Sequence, residues 1–226
     1  KFFGQLLPES ARRGKTPTAV VNVDDDAAEE MIRAARRGDV EVRTFGSSSE
    51  ADVTYEIEES TIEGTRFLAA LDGESDSFDM PLIGSFNVSN AVAALTAAHS
   101  VGFDAGALQR RLTDLPPIPG RMERVWREPA VFVDYAHTPD AIGRVLDVLR
   151  PLTDGRLVVV FGAGGDRDRQ KRPQMGEIAR EKADIVIVTS DNPRSERPEA
   201  IIDDILAGAY EAGPPESFAV EVDRRR

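Results

Sequence analysis

Three short stretches concentrate side chains that hold anions or hydroxyls. They are Asp134-Tyr135-Ala136-His137-Thr138-Pro139, Gly162-Ala163-Gly164-Gly165-Asp166-Arg167-Asp168-Arg169 and Ser190-Asp191-Asn192-Pro193-Arg194. A guanidinium presents a fork of donors that matches a carboxylate or a phosphate. Arg167 adds such a fork beside a glycine-rich backbone whose own N–H groups are exposed. The spacing is not that of a nucleotide loop: Arg167 stands where G-x-G-x-x-G needs its third glycine, and no G-x-x-x-x-G-K-[ST] occurs. The glycine-rich segment therefore reads equally well as a tight strand-to-helix turn needing positive φ. Asp134 suits either a helix cap or a contact to a ribose hydroxyl. His137 suits a helix N-terminus or a catalytic group, while His99, on an alanine-rich helix, reads as structural. Asp191-Asn192-Pro193-Arg194 has the residue types of a turn leading into a helix.

Two further segments carry candidates. Gly84-Ser85-Phe86-Asn87-Val88-Ser89-Asn90 opens a helix with two asparagines three apart, near one face. One amide could cap the helix and the other could read a base edge; two competing caps is the simpler alternative. Gly120-Arg121-Met122-Glu123 follows Pro116-Pro117-Ile118-Pro119, a break that no helix or central strand tolerates. Arg121 is either a solvated linker residue or a ligand contact at an interdomain cleft, a preferred binding place.

These residues need elements to place them. Before the break, Thr18 to Val23 reads as a buried strand and Ala27 to Arg37 as an amphipathic helix. Val40 to Phe45 and Asp52 to Leu71 change to period two, an antiparallel meander. Gly84 to Val101 and Ala105 to Leu112 read as helices. After the break, apolar strands at Val131–Val133, Leu157–Phe161 and Ile185–Val188 alternate with helices at Pro139–Leu149, Arg172–Lys182 and Pro198–Ala209. That grammar predicts a parallel sheet covered on both faces. The expected class is α/β, with one domain over 1–118 and a Rossmann-like domain over 119–226. In such sheets ligands gather at the carboxyl ends of strands, where all three polar stretches fall.

The chain has 226 residues, with 28 basic and 40 acidic side chains and a formal charge of −12. That balance argues against broad nucleic-acid binding, which needs a basic surface. No apolar run approaches the ~18 residues of a membrane span. Cysteine is absent, which excludes disulfides, thiolate metal sites and cysteine nucleophiles and fits a reducing compartment.

The segments GSFNVSN (84–90), GRMERV (120–125), VDYAHTPDA (133–141), FGAGGDRDRQKRPQMG (161–176) and DNPRSERPEAI (191–201), in this order, resemble the Mur ligase family. Within it they are similar to the branch that adds a diamino acid. The resemblance implies an ATP-dependent amide-bond ligase of peptidoglycan precursor synthesis, cytoplasmic and expected as a monomer, using ATP and Mg²⁺. UDP-MurNAc-L-Ala-D-Glu would be activated as an acyl phosphate and attacked by meso-diaminopimelate. Carried onto matching positions, it implies nucleotide contacts at Asn87 and Asn90 (Asn90 the better candidate), Arg121, Asp134 and His137. Arg167, Asp191, Asn192 and Arg194 would hold the amino acid. It assigns no catalytic residue and no metal ligand within these residues. A family member also has a uridine-binding first domain, a G-T-x-G-K-[ST] loop, a carbamylated lysine two residues before Lys1, and a G-K-G-H-E-like tail segment. The chain is accordingly expected to be the back of the central domain plus most of the C-terminal one, inactive by itself. Two rival readings stand beside this one: a non-catalytic Rossmann-type binding module, and a sibling ligase of the same family, which should lack the DNPR that this chain carries at 191–194.

Overall fold

The computed structural model describes residues 1–210 and 218–225, which divide into two units, Lys1–Pro117 and Ile118–Arg226. In the first, a π-helical turn (Phe2–Leu6) and α1 (Leu7–Arg12) precede β1 (Thr18–Asn22), whose apolar run buries Ala19 and Val21. α2 (Ala28–Arg37) crosses over to β2 (Glu41–Gly46), which pairs parallel to β1. β3 (Val53–Thr61), β4 (Gly64–Leu71) and β5 (Glu74–Met80) complete a sheet of order β1-β2-β3-β4-β5. β3 lies parallel to β2, and the pairs β3–β4 and β4–β5 are antiparallel.

The sheet thus joins a parallel half to an antiparallel half, and Val40 to Phe45 belongs to the parallel half rather than to a meander. The hinge between the halves is pinned by Asp52. Its carboxylate accepts from Thr44 N and Thr44 Oγ1, both at 2.8 Å, while Asp52 N donates to Thr44 Oγ1 at 2.9 Å. β5 escapes a pattern reading because its first four residues are exposed and only Phe78 and Met80 are buried. Phe78 sits opposite Phe67 on β4, with the rings stacked at 5.5 Å. α3 (Ser85–Ser100) lays Val88, Val92 and Leu95 on this core, and α4 (Ala105–Thr113) follows, its first turn capped by Asp104.

The second unit opens with β6 (Glu123–Trp126) and β7 (Val131–Val133), then α5 (Pro139–Leu149) and β8 (Val158–Phe161). α6 (Lys171–Lys182), β9 (Ile185–Thr189), α7 (Pro198–Tyr210) and β10 (Phe218–Glu221) complete it. β10, β9 and β8 form a parallel sheet in that order. Two expectations are corrected. β7 does not belong to this sheet; it pairs antiparallel with β6. Nor, among the described residues, is the sheet covered on both faces. α5, α6 and α7 send Leu146, Met175, Ala179 and Ile205 onto one face, around Val186 and Val188. On the other face Val158 and Val160 remain 48% and 60% exposed. An apolar strand alone does not say how many helices flank it.

Candidate functional site

A cavity of about 660 Å³ opens at the carboxyl ends of β8 and β9 and beside the loop after β7. Five residues singled out from sequence line it: Asp134, His137, Arg167, Asp191 and Arg194. Lys171 and Arg224 line it too; neither was singled out from sequence, although Lys171 lies within the 161–176 segment. With Asp168, the lining carries four cations (Arg167, Lys171, Arg194, Arg224) against three carboxylates. On a chain of net charge −12 this is a locally cationic hollow, which favours an anionic ligand.

The glycines after β8 work by close approach. A Cβ at Gly162 would meet Thr189 O at 2.3 Å, and one at Gly165 would meet Pro193 O at 1.9 Å. None of Gly162, Gly164 and Gly165 has positive φ; in these loops that conformation falls to Asp166 and Arg194, each at +51°. A non-glycine residue held there costs about 1–2 kcal/mol, so the surrounding contacts must impose it. Gly165 N donates to Asn192 O at 2.8 Å, Ser195 Oγ donates to Asp166 Oδ1 at 2.6 Å, and Arg194 Nη1 donates to Gly165 O. Ser195 N also donates to Asp166 Oδ2 at 3.3 Å, and the hydroxyl and backbone bonds from Ser195 together hold the Asp166 carboxyl below its ordinary pKa.

Behind the loops Arg172 is fully buried. It donates to both oxygens of Glu196, to Asp204 Oδ2 at 2.8 Å and to Gly164 O at 3.3 Å. Glu196 also accepts from Asp166 N at 2.7 Å and from the Arg169 guanidinium. The Arg172 and Arg169 guanidinium groups together hold the Glu196 carboxyl far below the usual range, and Glu196 in turn raises the pKa of Arg172.

The candidates differ in how free they are. Arg167 is exposed and has no hydrogen-bond or ion-pair partner among the described residues. Asp191 lies 3.4 Å from Arg224, and Asn192 is exposed outside the cavity wall, contributing its carbonyl to Gly165. Asp134 does not cap α5; Thr138 does, through Ala141 N at 3.3 Å, with Pro139 at the first helical position. Instead Asp134 accepts from Met122 N and Ala136 N, each at 2.8 Å, one on each oxygen. Each oxygen keeps a second lone pair for a hydroxyl. His137 Nδ1 lies 3.1 Å from Tyr135 O, and the His137 carbonyl accepts from Lys171 Nζ at 2.7 Å. Arg121 lies outside the cavity wall, 4.7 Å above the ring of Tyr135, which itself meets His137 edge-on at 5.2 Å. That cation–aromatic–imidazole stack was not legible as a unit in the sequence, although Tyr135 stands between Asp134 and His137.

In the first unit the two asparagines separate cleanly. Asn87 is buried and donates through Nδ2 to Ile83 O at 2.8 Å, fixing the turn at Gly84 (φ +98°). Asn90 is exposed on the same first turns, without a side-chain hydrogen bond among the described residues. Neither caps α3, which has no side-chain cap.

The sequence patterns of two domain families match the two units: the Mur ligase middle domain over residues 3–98, and the Mur ligase glutamate ligase domain over residues 120–225. The chain belongs to the Mur ligase family. It is similar to the UDP-N-acetylmuramoyl-L-alanyl-D-glutamate–2,6-diaminopimelate ligase of Gloeobacter violaceus, 47% identical over 92% of this chain and 42% of that protein. The ligase of the same name from Chlorobaculum tepidum is 46% identical over 84% of this chain and 39% of that protein. A solved structure of a ligase so named superposes with a TM-score of 0.63 at 37% identity, over 96% of this chain and 46% of that one. Folylpolyglutamate synthase of Mycobacterium tuberculosis shares the fold, with a TM-score of 0.71 at 22% identity over 91% of this chain and 45% of that one. The chain thus spans less than half the length of the relatives it matches.

Proposed function

We propose that the protein carrying this chain joins meso-diaminopimelate to UDP-MurNAc-L-Ala-D-Glu at the expense of ATP, in the synthesis of peptidoglycan precursors. The observation that carries the reading is the pair Arg167 and Arg194 on one cationic cavity at the strand ends. Meso-diaminopimelate bears an amino-carboxylate at its far end, where lysine has only an ammonium. A guanidinium pairs with that carboxylate through two parallel bonds and repels a bare ammonium. Arg167 and Arg194 take the carboxylate role, with Asp191 and Asn192 beside them for the amino end.

The nucleotide contacts fall to residues with polar atoms to spare. Asn90 has a free amide to donate to and accept from a base. Asp134 has lone pairs for ribose hydroxyls, Arg121 has guanidinium donors for phosphates, and His137 lies in the same loop. ATP supplies the phosphoryl group that turns the D-glutamate side-chain carboxylate into an acyl phosphate, releasing ADP. The diaminopimelate amine then attacks the acyl carbon, and inorganic phosphate leaves with the bonding electron pair as the nitrogen loses its proton. The chain's own residues contribute position and charge neutralisation, which suffice for large accelerations in phosphoryl and acyl transfer. No group of three or more acidic or histidine side chains converges as a metal site among the described residues. Mg²⁺ is commonly held by one or two carboxylates together with substrate phosphates, and the chemistry above routes no step through it. No described helix is long and apolar enough to cross a membrane.

The test is product identification. The gene product containing this chain, given ATP, UDP-MurNAc-L-Ala-D-Glu and meso-diaminopimelate, should yield a UDP-MurNAc-tripeptide heavier by one diaminopimelate residue. Folded protein that forms no such product overturns the reading.

A further inference from the structure

Arg167 and Arg194 sit on different loops, yet one ligand can use both only if the loops keep a fixed spacing. Glu196 lies two residues beyond Arg194 and accepts from Asp166 N, the amide immediately before Arg167. Its two oxygens are gripped by Arg172, which also holds Gly164 O in the first loop. Arg172 is fully buried on α6, and its Nε has no hydrogen-bond partner. A buried ion pair is weak evidence of stabilisation, because desolvation offsets its attraction. An incompletely satisfied one is weaker still. What this pair does supply is geometry: three loop positions, 164, 166 and 196, are tied to one rigid helix.

We propose that Glu196, clamped by the buried Arg172, is a positioning residue that sets Arg167 and Arg194 in register for the amino-acid substrate. It touches no substrate; it acts through the two arginines. The proposal rests on the reading that these arginines grip a diamino acid, and Asp204 provides the control. Asp204 also binds Arg172, at 2.8 Å, but it belongs to α7 and has no hydrogen bond or ion pair to either loop among the described residues. A purely structural role for the network would make both partners matter alike.

The experiment compares Glu196→Gln with Asp204→Asn in the gene product containing this chain. Glu196→Gln should raise KM for meso-diaminopimelate by about tenfold or more, as small misplacements of binding groups do, with KM for ATP unchanged. Asp204→Asn should leave both constants within about twofold. Equal rises in the two variants, or none in Glu196→Gln, overturn the proposal. Amide hydrogen exchange reads the clamp without any substrate. Glu196→Gln should speed exchange at residues 164–167 and 192–195 together, and Asp204→Asn should not. Unchanged exchange overturns the clamp whatever the enzyme turns over. Altered exchange in a protein that never uses diaminopimelate overturns only the assigned substrate.

Discussion

Gly165 lies so close to Pro193 that a Cβ at position 165 would sit 1.9 Å from the Pro193 carbonyl oxygen. The contact joins the loop carrying Arg167 to the loop carrying Arg194, and it explains a glycine whose φ is not positive. Gly165→Ala must push residue 193, and Arg194 with it, out of place. Forced overpacking of this kind costs about 1–3 kcal/mol. Urea denaturation should show that loss, and KM for the amino acid should rise with it. An alanine variant with unchanged stability and KM would mean that the two loops yield freely.

The asparagines of α3 should divide by role. Asn87→Ala removes the donor to Ile83 O in a buried setting and should cost about 1–3 kcal/mol, visible as a lower melting temperature. Asn90→Ala should leave that temperature unchanged and weaken ATP binding. A titration with ATP alongside thermal unfolding separates the two outcomes, and a stability loss in Asn90→Ala would contradict the assignment.

The pH dependence follows from Glu196. Its folded pKa is depressed by the two guanidinium groups, so the unfolded chain binds the proton more readily. The contribution to stability is full above the unfolded value of about 4.3 and falls away as pH drops from there toward the folded value. Denaturation midpoints measured from about pH 6 to about pH 3 should decline more steeply in the wild type than in Glu196→Gln. Parallel declines would show that the pair is not felt in the folded state.

Helix placement was open to reading because the apolar stripe is local. Ile142, Val145, Leu146 and Leu149 share one face of α5, which spans Pro139–Leu149 as the pattern implies. Pairing is not local. Val131–Val133 has the apolar character of a buried strand, yet its partner is β6 and two of its three residues are exposed. The same limit applies at the site. Strand-end reasoning brings Asp134, His137, Arg167, Asp191 and Arg194 to one cavity because each lies in the loop that leaves the end of a strand. Arg224 reaches Asp191 only through the pairing of β10 with β9, which no residue pattern announces. Glu196 stands in a Ser-Glu-Arg-Pro stretch that reads as a solvated turn, while its three nitrogen-bearing partners lie 24 to 30 positions upstream.

The central claim is that Arg194 selects a diamino acid with a carboxylate at its far end. The most direct measurement is ADP release by the gene product containing this chain, with UDP-MurNAc-L-Ala-D-Glu and either meso-diaminopimelate or L-lysine, in wild type and Arg194→Ala. The account predicts turnover with meso-diaminopimelate, little with lysine, and a loss of about 100-fold or more in kcat/KM for meso-diaminopimelate in the variant, the scale of a charge-assisted bidentate pair. Equal use of lysine by the wild type, or an Arg194→Ala enzyme as selective as its parent, would contradict it.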